Sequence, residues 1–175
     1  MVIAILRFIS VVNAAIWLGS AVFFTFAAGP AFFTPEMKAL IPPPYNGLAA
    51  QLVLKRYFYL QHVCGAIALV HLVAEWIYFA RPMERLVSGT LVGVICLGLI
   101  GGLWIQPKLK QLNYVKFSVR STAIERENAG SSFAVWHGVS MVFNLIMLGG
   151  VGFYFWSVMR TPSQTRFNST TRYRS

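Results

Sequence analysis

The stretch LVSGTLVGVICLGLIGGLWI, residues 86–105, decides the fold. It carries no charged side chain. Wound as a helix it is about 30 Å long, which matches the hydrocarbon thickness of a bilayer. Three further apolar stretches of similar or greater length flank it, at about 8–28, 58–79 and 133–158. Together they predict an all-α integral membrane protein, a four-helix bundle with both termini on the same side. The four spans fill a single domain over 1–160. A basic polar tail, 161–175, follows.

Composition agrees. The chain is 57% hydrophobic and only 11% charged, whereas soluble domains carry about a quarter charged residues. The net charge of +10 lies almost wholly outside the apolar stretches, where Lys and Arg serve as headgroup anchors. Lipids are therefore expected partners, and nucleic acid is not. Counting basic residues leaves orientation nearly balanced between the two faces. The Arg-rich, acid-free end of the chain, from Arg160 on, favours cytoplasmic termini. A bacterial inner (cytoplasmic) membrane is the expected location. The first stretch has only Arg7 ahead of it and is longer than a typical signal core, so it reads as a span.

Between the spans, local signals set the expected boundaries. Gly29-Pro30 predicts the end of the first helix, since proline lacks a donor and disfavours a helical residue before it. The Pro42-Pro43-Pro44 run predicts an extended segment along the membrane surface. Arg81-Pro82 marks a short turn that makes the second and third spans antiparallel neighbours. Pro107 predicts a kink or a new helix, with 108–127 continuing the third helix outside the membrane. Ser131 or Ser132 is the expected N-cap of the fourth.

Polar exceptions inside the spans are the candidate functional groups. Asn13 and Trp17 lie on one stripe of the first helix with Ser10, Ser20 and Phe24. Asn144 and His137 lie on one line of the fourth, and the two stripes are expected to meet as helix–helix polar contacts. His62 and His137 fall at one level by topology. Two imidazoles on facing helices can ligate a tetrapyrrole, haem b or chlorophyll, from its two sides. Hydrogen bonding of each imidazole to a neighbouring helix is the plainer alternative. His71 and Glu75, one turn apart, form a candidate proton pair. Cys64 and Cys96 lack the spacing of a metal or redox motif and read as packing residues. No catalytic set appears among five acidic residues, so no enzyme is expected.

Several motifs carry a resemblance. Trp17-Leu18-Gly19-Ser20, Gly29-Pro30-Ala31-Phe32-Phe33, Tyr57-Phe58 and Gln106-Pro107-Lys108-Leu109 are among them. The most specific is Trp136-His137-Gly138-Val139-Ser140 with Asn144-Leu145. Over Arg7–Gly152 the chain resembles the transmembrane protein 205-like domain family, largely uncharacterised four-helix membrane proteins. The resemblance implies the fold and no defined activity; His62, His71 and the proline triplet match none of its features. The leading functional expectation is a non-catalytic accessory or structural subunit of a larger membrane protein complex, with other membrane subunits as partners. The alternatives are a tetrapyrrole-binding subunit of an electron-transfer or photosynthetic complex, and a small transporter or lipid-binding protein.

Overall fold

The computed structural model describes residues 2–79 and 84–160. The expected turn at Arg81-Pro82 and the basic tail fall outside them. Helix α1, Val2–Phe23, runs through a π-helical turn at Phe24–Ala28 into the short α2, Gly29–Ala31. Helix α3 spans Pro35–Leu40 and α4 Tyr45–Phe79. Helix α5, Arg85–Ile100, passes through a second π-helical turn, Gly101–Ile105, into α6, Gln106–Phe117. Helix α7 covers Ala123–Met159. The described residues contain no strand. Four helical rods are long and apolar enough to cross a membrane: Ile5–Ala31, Tyr45–Ile77, Arg85–Phe117 and Ala123–Met159.

Side-chain pairing fixes the directions. Asn13 meets Cys64 and Trp17 meets Gln61, so α1 and α4 are antiparallel. Trp17 packs on Tyr154 and Thr25 meets Asn144, so α1 and α7 are antiparallel too. Gly65 faces Ile95 while Gly101 faces Phe58, and Gly150 faces Val94. Helix α5 therefore runs antiparallel to α4 and α7. The result is an up-down-up-down ring in which α1 and α5 are diagonal, as are α4 and α7. The start of α1 and the end of α7 share one end of the bundle.

The core uses small residues on α1 and α4, Ala14, Ala21, Cys64 and Ala68, around the large Trp17 and Tyr154. Leu91, Val94, Met147 and Val151 complete it from α5 and α7. Large apolar side chains such as Phe23, Val70 and Trp156 point outward. That arrangement suits lipid, in which apolar surface needs no burial and helices associate through close packing.

Several boundaries differ from expectation, for local reasons. The first helix passes Gly29-Pro30 because the π turn precedes it, with the Gly29 N–H donating to the Phe24 carbonyl five residues back. At Pro107 a new helix starts, one of the two expected outcomes, but it stops at Phe117, where Ser118 turns extended, instead of running to 127. It follows a second π turn, in which the Gln106 N–H reaches the Gly101 carbonyl. Such wider turns re-satisfy backbone groups that proline would strand. The segment after Pro30 is largely helical rather than extended. Thr34 caps α3 by accepting from the Met37 N–H, and the proline triplet sits just ahead of α4, where a fixed φ favours a helix start. Finally, α7 begins at Ala123, with Ser131 and Ser132 in its interior. Its cap is Thr122, whose hydroxyl accepts from the Glu125 N–H while Glu125 accepts from the Thr122 N–H, a reciprocal capping box.

Candidate functional site: a cavity at the loop end of the bundle

These early helix starts carry α4 and α7 beyond the apolar stretches on the side opposite the described termini. Between them, α2, α3 and α6 form a collar. The collar and the wider turns leave a cavity of about 760 Å³, within the size range of small-molecule sites.

Its walls are helical stripes. On α7 the lining residues include Phe133, His137, Ser140, Asn144 and Met147, spaced by three or four. On α4 they include Asn46, Ala50, Leu54, Tyr57 and Phe58. The α7 stripe covers eleven residue steps from Phe133 to Asn144, where the floor lies, so the cavity is about 16 Å deep. Both π turns contribute to the wall, through Phe24 and Thr25 on one diagonal helix and Gly101 and Ile105 on the other.

At the floor the polar groups satisfy one another. The Tyr57 hydroxyl donates to Asn144 Oδ1 at 3.3 Å. Asn144 Nδ2 donates to Thr25 Oγ1 at 2.7 Å, and the Thr25 hydroxyl donates to the Ala21 carbonyl at 2.7 Å. Phe24 stacks on Tyr57 with ring centroids 4.3 Å apart. The triad locks the first π turn, α4 and α7 together, and both of its hydroxyl hydrogens are used at the floor. The rim is polar. Lys38 of α3, Asn46 of α4, and Asn113 and Lys116 of α6 line it, with His137 just below. No Asp or Glu lines the cavity. Gln51 Oε1, also in the wall, is buried without a hydrogen-bond partner.

The residues singled out from sequence fall in three places. Asn13 and Trp17 are buried below the cavity. Asn13 Nδ2 donates to the Cys64 carbonyl at 3.0 Å, and the Trp17 indole N–H donates to Gln61 Oε1. Both partners belong to α4, so the first-helix stripe does not meet His137 and Asn144. Asn144 instead meets Thr25, two turns further along α1. His71 and Glu75 approach to 4.0 Å, with the carboxylate half exposed, near the opposite end of α4.

His62 and His137 are not brought together. His137 lines the main cavity, stacked on Phe133 with ring centroids 5.9 Å apart. His62 lies in a separate groove between α4 and the second π-helical turn, beside Lys55, Arg56 and Gly102. Its Nδ1 donates to the Phe58 carbonyl at 2.5 Å. Neither depth nor rotation places them together. Helices α4 and α7 run parallel, with Tyr57 level with Asn144. His62 lies five residues beyond that level and His137 seven before it, about 18 Å apart along the axis. The inward stripe of that helix passes through Gln61, and a residue one position on is turned by about 100°. A tetrapyrrole clamped between these two imidazoles is therefore not assembled. The described residues contain no group of three or more His, Cys, Asp or Glu that could hold a metal ion.

Residues 12–118 match the family described as domain of unknown function DUF4149. The chain belongs to that family. The match runs from within α1 to the end of α6, and takes in the α4 wall and the whole collar of the cavity; α7 lies beyond it. No curated protein and no solved structure matches the chain.

Sequence reasoning missed the cavity and with it Lys38, Tyr57, Asn113 and Lys116. The signal was present as two ladders at three- and four-residue spacing, and as two X-Pro pairs at corresponding ends of the parallel helices α1 and α5.

Proposed function

We propose that this member of the DUF4149 family is a non-catalytic integral membrane protein that holds an amphiphilic lipid-like molecule in the cavity at its loop end. One observation carries the reading: the cavity is about 16 Å deep, has a floor whose hydroxyls are hydrogen-bonded within it, and opens through a polar rim. One leaflet of a bilayer offers about 15 Å of hydrocarbon, so a lipid chain fits the depth. No carboxylate lines the wall, and His137 and Ser140, one turn apart on α7, are not hydrogen-bonded to each other, which favours holding over turnover. Native mass spectrometry of the detergent-purified protein tests it. A retained amphiphile is expected, and it should be lost in Ser140→Trp, which fills the shaft between rim and floor. A protein that carries no amphiphile and takes up none on titration would falsify the reading.

A second reading, an accessory subunit of a membrane complex, is supported by the hairpin of α6 and the start of α7. Its tip exposes Tyr114, Val119 and Ile124 outside the apolar spans, a surface suited to another subunit. Blue-native electrophoresis of mild-detergent extracts tests this; migration only at monomer size argues against it. We place the protein in a bacterial inner membrane with cytoplasmic termini, on the strength of the arginines from Arg160 onward. The finer placement in the transmembrane protein 205-like domain family rests chiefly on Trp136-His137-Gly138-Val139-Ser140, which lies beyond residues 12–118 and lines the cavity through His137 and Ser140.

A further inference from the structure

We infer that the amphiphile has an anionic head, held at the rim between Lys38 and Lys116, with its chain running down the shaft towards Met147. The inference rests on the amphiphile reading above and adds the chemistry of the head and its direction.

Charge complementarity at the rim carries the argument. Two lysines line the cavity and no carboxylate does. Among the described residues the single ion pair is His71–Glu75, so neither lysine is neutralised by a protein carboxylate. They come from different elements, α3 and α6, on the two arms of the collar. Lys116 is also seated: its Nζ lies 5.4 Å from the Phe117 ring centroid and 6.0 Å from that of Phe133. Those rings hold the ammonium at the edge of the apolar shaft. Asn113, buried near Lys116 on α6, adds a neutral polar group with amide donors at the same end. The opposite orientation is disfavoured. At the floor, the Tyr57 and Thr25 hydroxyls and one of the two Asn144 amide hydrogens are spent on one another and on the Ala21 carbonyl, and the lysines of the cavity lie at the rim. A carboxylate or phosphate there would be desolvated with no cation to compensate it.

The test uses the full chain in neutral detergent and three probes sharing one acyl chain. Palmitate presents a carboxylate, palmitoyl lysophosphatidic acid a phosphate, and monopalmitoylglycerol no charge. Binding is read by native mass spectrometry and by competition with a fluorescent fatty acid. The anionic probes are expected to bind about tenfold or more tighter than the neutral one, the scale of one charged hydrogen bond. Lys38→Gln with Lys116→Gln should bring them to the level of the neutral probe while leaving the latter unchanged. Lys110→Gln, on the same helix but away from the cavity, is the control. A preference between palmitate and the lysophosphatidic acid tells carboxylate from phosphate. Equal binding of charged and neutral probes, or anionic binding that survives the double substitution, overturns the inference while leaving the amphiphile reading intact. Failure of all three probes overturns both.

Discussion

At the scale of single residues, polar groups in this bundle are few, and those of Asn13, Trp17, Tyr57 and Asn144 bridge between helices. Trp17 shows why that matters. Its indole is buried and its N–H is directed to Gln61 on α4. Replacing it with Phe keeps most of the apolar volume but leaves a buried amide oxygen without a donor. A cost of about 1–3 kcal/mol is expected, seen as a lower midpoint in thermal unfolding of the detergent-solubilised protein. Gly150 makes a different point. A Cβ there would collide with the Val94 side chain across the α5–α7 interface, whereas at Gly138 it would meet nothing. Gly150→Ala should destabilise by about 1–3 kcal/mol through overpacking, and Gly138→Ala should leave the melting curve in place. Equal behaviour of the two would contradict the packing described. The inward stripe of α1 was legible in the sequence because an amide facing lipid is costly. Which helix receives each group was not, since spacing along α1 says nothing about the identity of its neighbour.

At the scale of elements, the ends of the helices hold the surprises. The membrane-spanning portions follow hydrophobicity, but α4 and α7 run well outside it because capping decides where a helix starts. Thr122 and Glu125 form a reciprocal cap in plain sequence, T-x-x-E, yet the apolar run ten residues later drew the expected boundary away from it. Thr122→Ala should cost about 1 kcal/mol locally. Faster hydrogen exchange at the amides of Glu125 and Arg126, with unchanged exchange near Met147, is the expected signature. The two π turns belong to this scale as well. Each lets a helix continue past an X-Pro pair, and each faces the cavity. Pro30→Ala and Pro107→Ala would remove the reason for the wider turn.

At the scale of the whole molecule, function depends on how four rods are arranged around a void. An antiparallel ring places Thr25 against Asn144, and Asn13 against α4. Cysteines introduced at Thr25 and Asn144 should therefore cross-link in membranes under mild oxidation, while a pair at Asn13 and Asn144 should not. The reverse result would dismantle the ring order and the cavity with it. The amino-acid sequence by itself determined the solvent, the number of spans, their alternating direction and the membership of an all-α class. Those follow from runs of apolar residues, because every backbone polar group in hydrocarbon must be satisfied within its own helix. Only the tertiary structure decided that His62 and His137 part company, that Tyr57, Asn144 and Thr25 close a floor, and that Lys38 and Lys116 share a rim. Those relations depend on rotation about each helix and on the neighbour it meets, which are set by the packing of all four helices at once.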